Sequence, residues 1–123
     1  MDIHTDVREK MAVVTPYADK LVSSNAADLK AQLTKLQGEG NQNMILDLQH
    51  VAFVDSSGLS ALLVGNRICR ENNGTFIITG LHEQVNKLIQ IAQLHAVLNI
   101  LPTLSEASDF ILMEEIEKEL RDS

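Results

Sequence analysis

Apolar residues fall in short runs along this chain, and the spacing within each run points to an element. "DIHTDV" (2–7) and "MAVVT" (11–15) predict two short strands, and the polar "REK" between them predicts a hairpin. Pro16 is expected to end the second strand, and residues 16–24 read as a connection with no clear period. Ser24 or Asn25 then caps a helix that carries Leu29, Leu33 and Leu36, and "GEGN" (38–41) stops it. "MILDL" (44–48) is a short apolar strand. After "QHVAFV" and "DSSG" comes "LSALLVGNRICREN" (59–72), apolar on most sides in its first half, as in a helix covered on more than one face. "TFIIT" (75–79) is a β-branched strand of the fully buried type. "HEQVNKLIQIA" (82–92) places Val85, Leu88, Ile89 and Ala92 at i, i+3, i+4 and i+7, the amphipathic helical pattern. "VLNIL" (97–101) is a last strand, stopped by Pro102. Thr103 and Glu106 form a capping box for a final helix with Phe110, Met113, Ile116 and Leu120 on one stripe.

The order β-β-α-β-α-β-α-β-α predicts an α/β fold. Its sheet is mostly parallel, opens with an antiparallel N-terminal hairpin and is flanked by about four helices. Residues 1–123 are expected to form a single domain, with no internal repeat, low-complexity tract or linker. The acidic "EEIEKELRDS" (114–123) reads as the solvated face of the last helix.

Composition narrows the function. Apolar residues make up 45% of the chain, enough for a real core, and the formal net charge is −7. A nucleic-acid binder needs a basic stripe to neutralise phosphates, so nucleic acid is not an expected partner. An anionic membrane surface is disfavoured for the same reason. Cys69 is the one cysteine, so no internal disulfide forms, which fits a reducing compartment. No apolar run approaches the ~18 residues of a membrane span. "MDIHTDVREK" lacks the apolar core of a signal peptide. The expectation is a soluble cytoplasmic protein.

Most candidate chemistry fails on spacing. His4, His50, His82 and His95 are scattered and match no metal-binding motif, so no metal is expected. Cys69 reads as core packing. No glycine-rich phosphate loop is present, and no cofactor is expected. Asp47 and Asp55 would need a cleft and a nucleophile to act as an acid pair; both read better as solvated or capping carboxylates.

What remains is Asp55-Ser56-Ser57-Gly58. Asp55 or Ser56 would cap the following helix, and Gly58 would let the backbone turn tightly. The same junction lies where a parallel sheet hands over to a helix, the side from which ligands approach such folds. A hydroxyl there is exposed, and the helix dipole favours a phosphate placed on it.

Residues 44–101, from "MILDL" through "DSSGL" and "VNKLIQIAQL" to "VLNIL", resemble the STAS domain family of bacterial anti-sigma factor antagonists. The likeness extends over nearly the whole chain. It implies a non-enzymatic binding module with a serine switch. By that resemblance Ser56 is the phosphoacceptor, Asp55 precedes it, and Ser57 and Gly58 shape the loop. The implied partners are an anti-sigma factor that is itself a serine kinase, and a serine phosphatase that resets the switch. ATP and Mg²⁺ would belong to the kinase. The chain departs from many members after its second strand, where "TPYADKLVSSNAADL" replaces a Gly-Glu-Leu-Asp-like turn, with Asp19 and Lys20 in that region. Three other readings carry less support. A STAS scaffold or sensor would leave Ser56 unused. A phospho-aspartate receiver needs an early carboxylate pair and a late lysine, both missing here. A small-ligand or enzyme role has no residue constellation behind it.

Overall fold

A computed structural model describes all residues, 1–123. Strands β1 (Asp2–Val7) and β2 (Ala12–Tyr17) form the antiparallel hairpin, paired from Val7–Ala12 at the turn to Asp2–Tyr17 at the open end. β2 also pairs in parallel with Met44–Asp47. Two residue pairs at Lys20–Leu21 and Phe53–Val54 form a separate small sheet, so in chain order these strands are β3 (Lys20–Leu21), β4 (Met44–Asp47) and β5 (Phe53–Val54). β6 (Phe76–Thr79) and β7 (Asn99–Ile100) extend the main sheet in parallel, giving the order β1-β2-β4-β6-β7. The helices are α1 (Ala26–Gly38), α2 (Ser56–Glu71), α3 (Glu83–Ile91) and α4 (Leu104–Asp122).

Side chains alternate across a strand, so each central strand feeds two layers. Ala12, Val14, Met44, Leu46, Phe76 and Ile78 point into a large core closed by residues of α1, α2 and α3, among them Leu33, Leu62 and Ile89. Val13, Ile45 and Ile77 point the other way and meet Ala107 and Ile111 of α4. Both faces of β4 and β6 are therefore buried, which is why these strands read as unbroken apolar runs. Three helices cover one face, and α4 alone covers the other.

Four expectations need correction. β2 does not stop before Pro16; it runs through it, opposite Ile3. Pairing with β4 ends at Val14, so beyond that point β2 lacks a neighbour on that side and a strand proline is tolerated. Residues 16–24 are not featureless, because β3 lies among them, and β5 lies within "QHVAFV". Two-residue strands are too short to show a period. Asp47 is buried, not solvated: its Oδ1 accepts from Gln49 N at 3.1 Å and its Oδ2 from Gln49 Nε2 at 2.7 Å, which holds the turn leaving β4. Finally, the stripe of Phe110, Met113, Ile116 and Leu120 faces outward, at 41%, 58%, 50% and 70% exposure. The inward side of α4 is the smaller set Leu104, Ala107 and Ile111, at i, i+3 and i+7. The capping bond of α4 forms, with Thr103 Oγ1 accepting from Glu106 N at 3.1 Å.

Candidate functional site

The Ser56 site is a strand-to-helix turn clamped from below. β5 pairs with β3 at Lys20–Phe53 and Leu21–Val54. The chain then leaves the sheet at Asp55, whose N donates to Leu21 O at 3.2 Å. Asp55 is the N-cap of α2 in an extended conformation, φ −99° and ψ −170°. Its Oδ1 accepts from Gly58 N at 3.0 Å, the helix-capping bond. Its Oδ2 accepts from Ser23 N at 3.2 Å, which ties the helix start to the segment before α1. Both carboxylate oxygens are thus engaged in fixing the turn.

Asn25 fastens the same segment. It stands at the N-cap position of α1 without making a capping bond to that helix. Instead its Oδ1 accepts from Val22 N at 2.8 Å and its Nδ2 donates to Lys20 O at 2.8 Å. Asp19 O accepts two further bonds, from Ala52 N just before β5 at 2.7 Å and from Phe53 N of β5 at 3.2 Å.

On this platform Ser56 is the first residue of α2; it is exposed, and its hydroxyl makes no hydrogen bond within the chain. Ser57 is half-buried and Gly58 buried. The N–H groups of the first helical turn have no intrahelical partner, so the positive end of the α2 dipole lies beneath the Ser56 hydroxyl. Gly58 is required for a reason other than the expected one. Its φ is ordinary. A Cβ there would run into the carbonyl oxygen of Leu21 and come within 2.5 Å of Val54 Cγ1. The missing side chain is what lets α2 sit on the β3–β5 pair.

Sequence reasoning missed the apolar and aromatic surroundings of this turn. Phe53, two residues before Asp55, is exposed next to exposed Lys20 across the β3–β5 pair. Tyr17 stacks on His50 with ring centroids 4.4 Å apart. The signal for Phe53 was a large apolar residue immediately before a capping sequence, with no periodicity to say which way it pointed. Elsewhere, burial pushes the Cys69 thiol up to about 12, so it stays protonated and works as packing. No three His, Cys, Asp or Glu side chains cluster as metal ligands. No helix is long and apolar enough to cross a membrane.

The STAS domain family model matches residues 2–107, from the first strand to the first turn of α4. The chain belongs to the STAS domain family. Solved structures agree on the fold. An anti-sigma-factor antagonist (STAS) domain protein from Planctomyces limnophilus superposes with a TM-score of 0.81 at 18% identity, over 91% of this chain and 99% of that one. The anti-sigma factor antagonist SpoIIAA in its unphosphorylated form gives 0.69 at 16% identity, over 91% and 98%. A sulfate transporter family protein from Wolinella succinogenes gives 0.75 at 15% identity, over 88% and 89%. In this STAS domain the "DSSGL" turn lies inside the matched segment, and most of α4 lies beyond it.

Proposed function

We propose that this STAS domain is an anti-sigma factor antagonist switched by phosphorylation of Ser56, acting in the cytoplasm as a binding module and not as an enzyme. The observation that carries the reading is the exposed, unbonded Ser56 hydroxyl on a helix start fixed by Asp55. A kinase acceptor needs a hydroxyl that reaches out of a rigid, recognisable surface, and Asp55 and Gly58 supply that rigidity. Similarity to SpoIIAA, solved in an unphosphorylated and in a phosphorylated form, supports a phosphorylation switch on this fold.

In this reading the unphosphorylated domain holds an anti-sigma factor that is itself a serine kinase, and the sigma factor is released. The kinase brings ATP and Mg²⁺. The Ser56 hydroxyl passes its proton to a base of the kinase, its oxygen attacks the γ-phosphorus, the bond to the β-phosphate oxygen breaks, and ADP leaves. A serine phosphatase hydrolyses the ester and restores the hydroxyl.

The physics of the switch follows from the turn. Phosphate adds roughly −1.5 to −2 charges. Repulsion from Asp55 opposes it, while the α2 N-terminus returns about 0.3–1 kcal/mol, and solvent screens the remainder. The fold therefore survives. A partner docked over Ser56 must desolvate the phosphate, and unmatched interfacial charge costs ~2–5 kcal/mol. Phosphorylation is expected to weaken anti-sigma factor binding by at least ~10-fold, since each ~1.4 kcal/mol is a factor of ten.

The test is calorimetric titration of both forms against the partner, with circular dichroism of both as control. Ser56→Ala should bind and accept no phosphate. Labelling of Ser56→Ala as efficient as wild type would move the acceptor elsewhere. No labelling of wild type by the cognate kinase would make this a STAS scaffold or sensor.

A further inference from the structure

We infer that the outer face of α4 is a second protein-docking surface, fitted to a partner segment with apolar side chains flanked by Lys or Arg. Phe110, Met113, Ile116 and Leu120 are exposed on it, and Leu112 borders them at 42% exposure. Single exposed apolar residues are ordinary on protein surfaces, but a contiguous stripe of four along one helix is not. α4 has 19 residues, so it is roughly 28 Å long. Its inward contacts with the sheet are made by Leu104, Ala107 and Ile111. The C-terminal half of the stripe serves no packing within the chain.

Charge decides what covers it. α4 carries seven acidic and two basic side chains, so it holds −5 of the chain's −7. The carboxylates near its inner side are engaged: Glu115 accepts from Asn43 at 2.7 Å and pairs with Lys118 at 3.5 Å, and Glu119 pairs with Lys10 at 3.6 Å. Asp109, Glu114 and Glu117, spaced among the stripe residues, have no cationic partner in the chain. A second copy would bring two such acidic helices together, and an anionic membrane would be repelled. A basic amphipathic partner answers both the exposed apolar area and the unpaired carboxylates.

The face also has places for anchoring side chains. Phe110 lines two open cavities: one of about 100 Å³ is apolar and shared with Ile77, Ile100 and Leu101, and one of about 230 Å³ is mostly polar, with Asn66, Arg70 and Glu114 beside Val97. Interfaces draw most of their energy from a few apolar side chains seated in such pockets. The α4 face lies on the side of the sheet opposite α1, α2 and α3. Its occupant and a partner on the Ser56 turn, which opens α2, would therefore approach different faces. The inference does not rest on the Ser56 switch.

The test uses the full chain and two synthetic helical peptides with the same leucine pattern, one flanked by lysines and one by glutamates. Fluorescence anisotropy measures binding, and amide chemical shifts locate it. The lysine peptide is expected to bind at least ~10-fold more tightly than the glutamate peptide, because like charges across an interface are penalised. Its shifts should map to α4 and weaken as salt rises. Met113→Gln with Ile116→Gln should lower its affinity at least ~10-fold. Asp109→Asn with Glu114→Gln and Glu117→Gln should remove most of the salt dependence. Ser56→Ala should change none of this. Equal affinity for the two peptides, shifts away from α4, or full affinity in the Met113→Gln/Ile116→Gln protein would each overturn the inference. So would a sedimentation-velocity dimer that those two substitutions dissolve, because the occupant would then be a second copy.

Discussion

The Ser56 turn and the outer face of α4 are both open to solvent, yet they are made in opposite ways. At the turn, backbone and carboxylate bonds converge from three segments: Leu21 O and Ser23 N from the β3 region, Asp19 O from before it, and Gly58 N from α2. Directional bonds do the fixing, and the geometry is closely specified. On the outer face of α4 the apolar area is large, and the bonds that tie the helix to the rest of the chain, such as Asn43 to Glu115 and Lys118 to Asn73 O, are not made by the stripe residues. The first construction suits a group that must be presented in one orientation. The second suits adhesion that tolerates variation in how a partner lies. Rigid presentation costs sequence freedom, since position 58 admits no side chain and position 55 needs side-chain acceptors for both Gly58 N and Ser23 N; adhesion needs only apolar residues at helical spacing.

The largest expected effect tests the rigid side. Gly58→Val forces a branched side chain into the Leu21 carbonyl and Val54, and should destabilise the domain by at least ~2 kcal/mol. Urea denaturation reads this directly, and an unchanged midpoint would mean that α2 can lift off the β3–β5 pair at no cost. Next comes Asp55→Ala, which removes the Gly58 cap and strands Ser23 N. A loss of about 1–2 kcal/mol is expected, and Asp55→Asn should recover part of it. Asparagine performing no better than alanine would show that one acceptor oxygen cannot hold the turn and that both carboxylate oxygens are needed.

A third prediction concerns how α4 is attached. The Asn43 side-chain donor, aided by Lys118 and Lys10 and opposed by burial, holds the Glu115 carboxyl below its ordinary value. Because the folded value is depressed, the stabilisation is complete above the unfolded carboxylate range near ~4.3 and is lost as pH falls through the folded value. Glu115→Gln should therefore lower stability at pH 7 and show a shallower decline between pH 5 and 3 than wild type. Parallel declines would remove Glu115 from the acid response. The smallest effects are expected where the two surfaces face solvent. Ser56→Ala, whose hydroxyl bonds to nothing, and Met113→Gln should each stay within ~0.5 kcal/mol of wild type. A thermal melt suffices for both. A larger loss for Ser56→Ala would mean that it helps cap α2 after all, and a larger loss for Met113→Gln would mean that the stripe packs within the chain.

The chain spelled out its main sheet because β2, β4 and β6 each sit between two cores and carry runs of three apolar residues, 12–14, 44–46 and 76–78. It spelled out the Ser56 turn because a cap, a hydroxyl and a glycine have few reasons to stand together at the end of an apolar strand. It hid β3 and β5, whose two residues each are defined by partners that lie more than thirty positions apart. It also hid the orientation of α4. That helix carries two apolar stripes, and the bulkier one is outside; size alone favoured the wrong face. The role of Gly58 was legible only as a need for glycine. That the need is contact with Leu21, and not a left-handed turn, depends on the hidden strands.

One feature of the main sheet bears on how anything could bind. Its two borders are poor templates for adding a strand. β7 offers a ladder of two residues and is followed closely by Pro102, which has no N–H to give. β1 is longer, but it places carboxylates at Asp2 and Asp6 along the free border, and acidic side chains there discourage stacking of one chain's sheet on another's. Aggregation by border-to-border pairing is thus resisted at both ends of the sheet. Recognition is left to helix faces and loops, where identity is read through side chains and not through the repeating backbone that all proteins share.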